Sequence, residues 1–392
     1  MKKIVVLNLG STSFKLKLFE IDKDESLFAS GSIEIGKNGK CRIGVNSINW
    51  ESDCNCLSHA DAMNYCIQMI REAGVAVDLE RVDAIGYKAV HGGTITGAHI
   101  VDDKLLAEME RMVVFAPAHN PVYLDMINYI RGKYPLITQI ACFETAFHST
   151  QPLYRTVYGV PYNWVNQLGV RRYGFHGSSH SFIAWKMSQE APEMRKIISC
   201  HLGGSSSLCA IQDGKSVATS MGATPQSGLF HNNRVGDFDV FCFPALAEKM
   251  GGINNVISML SNESGFKGLS GVSNDLRDVI AAADSGNDRA ELAINAFCDN
   301  IVGYIGMYTA YMGGLDAIIF TGGIGFNSAR IRRYVCDKLS FINAKLNSDK
   351  NIAGNEGCIS GIDSGVSLWI FEANEELMVA RGCMNCLNNV CH

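Results

Sequence analysis

Two short stretches of the sequence set glycine and small hydroxyls between apolar segments. The first is VVLNLGSTSFKLKLFE, from Val5 to Glu20. The second, starting at Ile197, is IISCHLGGSSSLCAIQDGK. A tight turn of such residues lets backbone N–H groups crowd around an anion and makes a concavity that fits phosphate oxygens. Lys15 adds a point charge, and Asn8 adds a neutral oxygen able to reach a hydrated Mg2+. Both stretches therefore read as phosphate-gripping hairpins. In a third element, FTGGIGFNSARIRR, a strand leads to Gly322-Gly323-Ile324-Gly325 and then to Asn327-Ser328 at a helix start. The N–H groups and partial positive charge of a helix N-terminus suit a nucleotide phosphate. The G-x-G-x-x-G spacing of a dinucleotide fold is absent from this segment.

Histidines recur beside glycine and arginine. Lys88 and His91 lie in KAVHGG, His119 and Asn120 in FAPAHNP, and Glu144 and His148 in CFETAFH. Arg171, Arg172, His176 and His180 lie in RRYGFHGSSH. NNRVGDFD adds Arg234, Asp237 and Asp239, and SNDLRD adds Asp275, Arg277 and Asp278. One such histidine reads as a core or capping residue; several sets together do not. For SNDLRD, a helix N-cap with a charge pair is an equal reading. Hydroxyl turns gathered with Arg, Lys, His and one or two carboxylates suit phosphoryl transfer, which needs positioning and charge neutralisation more than covalent help. No G-x-S-x-G elbow of a serine hydrolase occurs.

The elements that must position these groups follow from periodicity. Val5–Leu7 and Phe14–Phe19 read as strands joined by turn chemistry, and the stretch from Ile197 repeats that design. A second matched pair, VDAIGYKAVHGG and LDAIIFTGGIG, runs Asp-Ala-Ile, strand, Gly-Gly turn. Two pairs in the same order imply an internal duplication with a period far longer than a solenoid repeat. Helices are expected over Leu57–Ala73, Pro121–Lys133, Arg289–Gly313 and Ala373–Arg381, the second with proline in its first turn. Strands alternating with helices make the chain α/β. The expected architecture is two related domains facing a central cleft, over residues 1–150 and from Gln151 onward.

Length supports this division, since 392 residues exceed one core. The chain is 47% apolar and carries a net charge of −5 without a basic block, which argues against a nucleic-acid partner. No stretch approaches the ~20 apolar residues of a membrane helix. The Met-Lys-Lys start imitates a signal peptide, but its apolar run ends at Asn8. A soluble cytoplasmic protein is expected. The fourteen cysteines are scattered, and Cys142, Cys200, Cys209, Cys242 and Cys298 lie in apolar runs, as buried reduced thiols would. Cys383, Cys386, Cys391 and His392 have zinc-ligand types, but one such knuckle is half of a usual structural site, and an uncoordinated tail is the expected reading.

The segments NLGSTSFK, AVHGG, FAPAHNP, ETAFH, RRYGFHGSSH, SMGATP, SNDLRD, GGIGFNS and NEELMVAR, in this order from residue 8 to residue 381, resemble the acetate kinase family. The resemblance implies a phosphotransferase with a carboxyl group as acceptor. It would move the γ-phosphoryl of ATP, reversibly, to acetate or a larger acid such as propionate or butyrate, giving an acyl phosphate. Mg2+ (or Mn2+) would serve as cofactor, ATP/ADP as co-substrate, and the protein would be a homodimer. It also implies two duplicated actin-like (ribonuclease H-like) domains. Residues 151–373 would be the nucleotide-binding domain, and a C-terminal helix over about 374–392 would pack back on the first domain.

Carried over residue by residue, the resemblance gives His176, Glu144, Arg234 and His119 catalytic roles. His176, helped by His119, would stabilise the transferring phosphoryl group, and Arg234 would hold carboxylate and phosphoryl oxygens. Lys88, Val90, Ala118, Phe175 and Pro225 would bind the substrate. Ser11, Ser13, Lys15, His201, Gly203, Gly204, Ser205, Asp275, Arg277, Gly323, Ile324, Gly325 and Asn327 would contact phosphate or nucleotide. Asn8 and Glu375 would sit near the metal.

Departures from the family pattern gather at these sites. Lys88 stands where the family has Arg, exchanging a planar fork for a point charge. Glu144 stands where it has Asp, and the added methylene moves the charge by roughly 1 Å, a scale on which misplacement costs about 10²-fold. Gly204 and Ser205 replace Asn and Gly of the second phosphate loop, Asn232, Asn233 and Val235 alter the segment around Arg234, and Phe326 replaces Glu. Ala118 replaces Leu and removes about three carbons from the pocket wall, where each methylene accommodated is worth ~1–3 kcal/mol of discrimination. The expected function is an active kinase for a different or larger acid. The alternatives are a catalytically impaired homologue that binds nucleotide or acyl phosphate, and a pyrophosphate- or phosphate-using variant.

Overall fold

The apolar run Ile4–Leu7 is buried completely, as befits a strand covered on both faces, and the alternation after Gly10 continues as its antiparallel partner. The structure, a computed structural model, describes residues 1–22, 25–45 and 48–390. These form two units, Met1–Phe147 with the segment from Asn374 onward, and His148–Ala373.

The first unit is built on eight strands: β1 (Lys2–Leu9), β2 (Ser13–Ile21), β3 (Glu25–Glu34), β4 (Gly36–Val45), β5 (Ile48–Cys56), β6 (Ala84–Ala89), β7 (Ala98–Ile100) and β8 (Gln139–Phe143). Their order is β5-β4-β3-β2-β1-β6-β8-β7. From β5 to β1 the pairing is antiparallel; β1, β6 and β8 run parallel, and β7 closes the edge antiparallel to β8. Val5, Leu7 and Leu9 of β1 share one core with Met63, Cys66 and Ile70 of helix His59–Glu72 and with Ile127 and Ile130 of helix Asn120–Lys133.

The second unit has six strands: β9 (Lys196–His201), β10 (Ser207–Gln212), β11 (Lys215–Thr219), β12 (Ala317–Thr321), β13 (Gly357–Cys358) and β14 (Ser367–Ile370), in the order β11-β10-β9-β12-β14-β13. Three antiparallel strands again meet two parallel ones, with an antiparallel strand on the edge. The two sheets therefore share one topology, with β4 and β5 added in the first. This is the duplicated α/β arrangement expected from the repeated hairpins and the actin-like one that the resemblance implies. Helix Asp288–Met312 buries Phe297, Ile301 and Ile305 in the second core, close to the predicted Arg289–Gly313 span.

Several local expectations are corrected. The run Gly322–Asn327 forms a short helix after β12 instead of a turn, and Ser328 caps the next helix, Ala329–Lys338. Buried Arg332 explains this, since its guanidinium donates to the carbonyls of Gly325 and Phe326 at that helix's end. The C-terminal helix runs Glu375–Val390, well past Arg381. Gly382 lies inside this helix, where a Cβ would lie 3.0 Å from the Cys142 sulfur, so glycine permits close approach of helix to sheet. Gly86 of β6 does the same from the other side, because a Cβ there would lie 2.5 Å from Cys383 Sγ. Cys383 is thus a packing residue within the helix and not part of a loose tail. Cys391 and His392 lie outside the described residues, among which no group of three His, Cys, Asp or Glu could hold a metal ion. Cys200, Cys209 and Cys298 are buried free thiols, Cys142 is half-buried, and Cys242 is exposed. No helix among the described residues is long and apolar enough to cross a membrane.

Candidate active site

In the first unit the β1–β2 register sets Asn8 opposite Lys15. The turn is closed by Gly10 N–H donating to the Ser13 carbonyl at 2.8 Å and braced by the His59 ring, 2.8 Å from the Gly10 carbonyl. Ser11 and Lys15 are exposed and Ser13 is half-buried. Asn8 Nδ2 donates to Glu376 Oε1 at 2.9 Å, and Lys17 Nζ lies 3.0 Å from the other oxygen. Burial would raise the Glu376 carboxyl, but Lys17 and the Asn8 amide outweigh it and hold it down at about 2. Sequence reading chose Glu375 from NEELMVAR and missed Glu376 and Lys17. Two adjacent acids at a helix start were the available signal.

Lys88, near the end of β6, lies 2.6 Å from Glu375 Oε2 and 3.9 Å from Glu144 Oε2. Glu144 follows β8, and its N–H donates to the Ala89 carbonyl at 2.8 Å. All three side chains are nearly buried, at 13%, 14% and 5% exposure for Lys88, Glu375 and Glu144. Burial disfavours the ammonium, but the two carboxylates raise it above its ordinary range. Next to it, Val90 is half-buried and His91 is buried, its imidazole pushed down to about 4 by desolvation. Asn120 clamps this loop, accepting from His91 N–H and donating to the His91 and Met109 carbonyls. Its role is structural. Half-buried His119 and exposed Ala118 precede helix Asn120–Lys133.

In the second unit, His176 begins helix Gly177–Glu190 with a left-handed backbone, φ 56° and ψ 30°. A non-glycine residue held there marks a constrained, often functional, position. His176 Nδ1 is 2.8 Å from Ser207 Oγ. Its ring lies 4.3 Å from that of His201, whose Nδ1 is 2.8 Å from Ser179 Oγ. His180 reaches Ser199 and Ser207, each at 2.9 Å. His148 Nε2 donates to the carbonyl of buried Phe175 at 2.9 Å, and burial pushes its imidazole down to about 4. Ser179 on helix Gly177–Glu190, Ser199 on β9 and Ser207 on β10 are all buried, and none was singled out from sequence.

The second hairpin loop is held by residues that sequence reading also missed. Ser206 Oγ spans both polar groups of Gly203, and Ser206 N–H donates to Nδ1 of buried His231 at 2.7 Å. Burial, with Arg234 nearby, pushes His231 down to about 3. Arg234 is half-buried, and desolvation lowers it from its ordinary value. Its guanidinium has no hydrogen-bond or ion-pair partner among the described residues. Pro225 is buried. Asp237 and Asp239 are structural: Asp237 accepts from Gly228 N–H and the Tyr304 hydroxyl, and Asp239 caps a short turn.

A cavity of about 650 Å³ gathers Gly203, Gly204, Asp275, Arg277, Gly323, Ile324 and Asn327 with Asn232, Leu276, Ile280 and Ser328. Its size and mixed lining suit a nucleoside. Both readings of SNDLRD hold, because Asp275 caps helix Leu276–Asp284 and pairs with Arg277 while both line the cavity. Ser205 Oγ and Asn232 Oδ1 are screened from solvent without a hydrogen-bond partner among the described residues, as expected of groups awaiting a polar ligand. Gly325 is not in the lining; it is buried, with its carbonyl taken by Arg332.

Residues 3–381 match the model of the acetokinase family. The chain is 40% identical over 389 residues to a propionate kinase of Citrobacter rodentium, covering 97% of this chain and 96% of that protein. It is 40% identical over 400 residues to an acetate kinase of Carboxydothermus hydrogenoformans, covering 99% and 100%. Among solved structures, it resembles a propionate kinase from Francisella tularensis with a TM-score of 0.90 at 32% identity, covering 97% of this chain and 99% of that one. It resembles the acetate kinase of Porphyromonas gingivalis with a TM-score of 0.87 at 33% identity, covering 99% and 100%.

Proposed function

The chain belongs to the acetokinase family, and from that premise we propose a short-chain carboxylate kinase that moves the γ-phosphoryl of ATP to a carboxylate and gives an acyl phosphate, reversibly. The acceptor is acetate or a larger acid such as propionate or butyrate. The enzyme works in the cytoplasm as a homodimer.

The observation that carries this reading is Arg234. A half-buried guanidinium with no counter-charge among the described residues is a socket for an anion, since a desolvated cation is costly until paired. Arg234 neutralises carboxylate and phosphoryl oxygens as they approach each other. His176, fixed by Ser207, donates a hydrogen bond to the transferring group. The glycine loop at Gly203 and Gly204 and the cavity beside it take the nucleotide. In the first unit, Lys88 supplies positive charge, with its ammonium held by Glu375 and Glu144. Positioning and electrostatics of this kind are what phosphoryl transfer requires.

Asn8, whose amide nitrogen is turned to Glu376, would offer its oxygen, and Glu375, paired with Lys88, its carboxylate to Mg2+ of the kind that travels with ATP, which keeps several waters and needs only one or two protein oxygens. When bound, the ion neutralises charge on the phosphate oxygens. A coupled assay of ADP release tests the reading, with ATP and pyrophosphate compared as donors. Carboxylate-dependent ADP formation supports it; turnover only with pyrophosphate, or none with either donor, contradicts it.

A further inference from the structure

Ser207 Oγ lies between two imidazoles, 2.8 Å from Nδ1 of His176 and 2.9 Å from Nε2 of His180. The remaining nitrogen of His180, Nδ1, is 2.9 Å from Ser199 Oγ. Ser199, His180 and Ser207 are wholly buried. A hydroxyl has a single proton to donate, so the direction of this chain is constrained. If Ser199 accepted from His180, its own proton would have no acceptor among the described residues, and an orphaned buried donor is unfavourable. Ser199 therefore donates to His180 Nδ1. Burial keeps His180 neutral, so its one ring proton sits on Nε2 and is given to Ser207. The Ser207 proton is then left for His176 Nδ1.

We propose that the chain Ser199, His180, Ser207, His176 fixes His176 as the neutral Nε2–H tautomer, with Ser207 and His180 acting as positioning residues. Which ring nitrogen of a histidine carries the proton is set by the bond that the other nitrogen makes. His176 then meets the phosphoryl group as a fixed N–H donor and not as an imidazolium. An imidazolium would need a proton on Nδ1, which would reverse every link and strand the Ser199 proton. It would also set a positive charge on a ring 4.3 Å from the imidazole of His201. The part played in catalysis rests on the kinase reading above; the tautomer does not.

The test uses the full-length protein with ¹⁵N-labelled histidine rings. Long-range ¹H–¹⁵N correlation near neutral pH identifies protonated nitrogens, and His176→Gln and His180→Gln assign the signals. The expected spectrum has Nδ1 bare and Nε2 protonated in both rings. In Ser207→Ala, His176 loses its single tautomer, and kcat falls by up to about 100-fold while the carboxylate KM changes little; Ser207→Thr, which keeps the hydroxyl, recovers activity. His180→Gln retains a donor toward Ser207 and loses less activity than His180→Asn, which retains only the Ser199 side. An imidazolium or Nδ1–H form of His176 in the wild type overturns the proposal, as does a folded Ser207→Ala with wild-type kcat. If the wild type makes no acyl phosphate, the kinase reading falls and the spectrum alone decides the chain.

Discussion

The Lys88 ammonium and the Glu375 carboxylate, one at the end of β6 and the other in the first turn of the C-terminal helix, form a nearly buried ion pair of 2.6 Å. Glu144 lies 3.9 Å from the same nitrogen. A lysine and a glutamate thus occupy positions where the resemblance leads one to expect arginine and aspartate. The longer acid reaches toward a compact point charge, where a shorter acid would suit a longer guanidinium. The two residues are predicted to act as a unit. Lys88→Arg alone and Glu144→Asp alone each lower kcat/KM by about tenfold or more, and the double variant recovers part of the loss. A double-mutant cycle on kcat/KM should show coupling of about 0.5–3 kcal/mol; additive losses would show that the residues work separately.

Arg234 is predicted to trade stability for function. Arg234→Met removes a desolvated cation that has no partner among the described residues, so the melting temperature stays level or rises. The same change should lower kcat by about 10³-fold or more, the scale of a transition-state arginine. Thermal unfolding and steady-state kinetics on one preparation check both signs.

Ala118, exposed before helix Asn120–Lys133, is predicted to widen acid specificity. Ala118→Leu should cut kcat/KM for propionate or butyrate about tenfold relative to acetate, in line with ~1–3 kcal/mol per methylene. An unchanged ratio would remove Ala118 from the specificity wall.

Acid stability follows from two sets of groups. Buried His91, His148 and His231 are held near 4, 4 and 3, below their ordinary value. The unfolded chain therefore takes up more protons than the folded one as pH falls below about 6.5. Their stabilising effect is complete above that pH and is lost downward. Glu376, held at about 2, adds stability that is complete above its ordinary value and lost toward pH 2. The melting temperature should decline from about pH 6.5 downward and steepen below about pH 4.5. Glu376→Gln should cost about 2–3 kcal/mol at neutral pH and flatten the lower limb. Calorimetry across this range reads both limbs.

Much of the fold was legible because its signals are local. The buried run of β1, the alternation of β2 and the periodicity of helix Asp288–Met312 each lie within one window. The duplication was legible because two turn motifs repeat in order, and the sheets have the same strand order. What escaped depends on contacts across the sequence. Periodicity ends the C-terminal helix at Arg381, whereas it runs on through Gly382, packed against Cys142, and the helical run Gly322–Asn327 reads as a turn until Arg332 caps it. Lys17, Glu376, Ser206 and Ser207 lie inside quoted motifs without standing out in them, because the partners that give them their parts, Glu376 for Lys17, His231 for Ser206 and His176 for Ser207, are tens to hundreds of residues away.

The most direct test of the account is to trap acyl phosphate with hydroxylamine when the purified protein is given MgATP and, separately, acetate, propionate, butyrate or valerate. The account predicts hydroxamate formation that depends on both ATP and acid, strongest with an acid longer than acetate and abolished in Arg234→Met. No hydroxamate with any acid, from protein that still binds ATP, would contradict it.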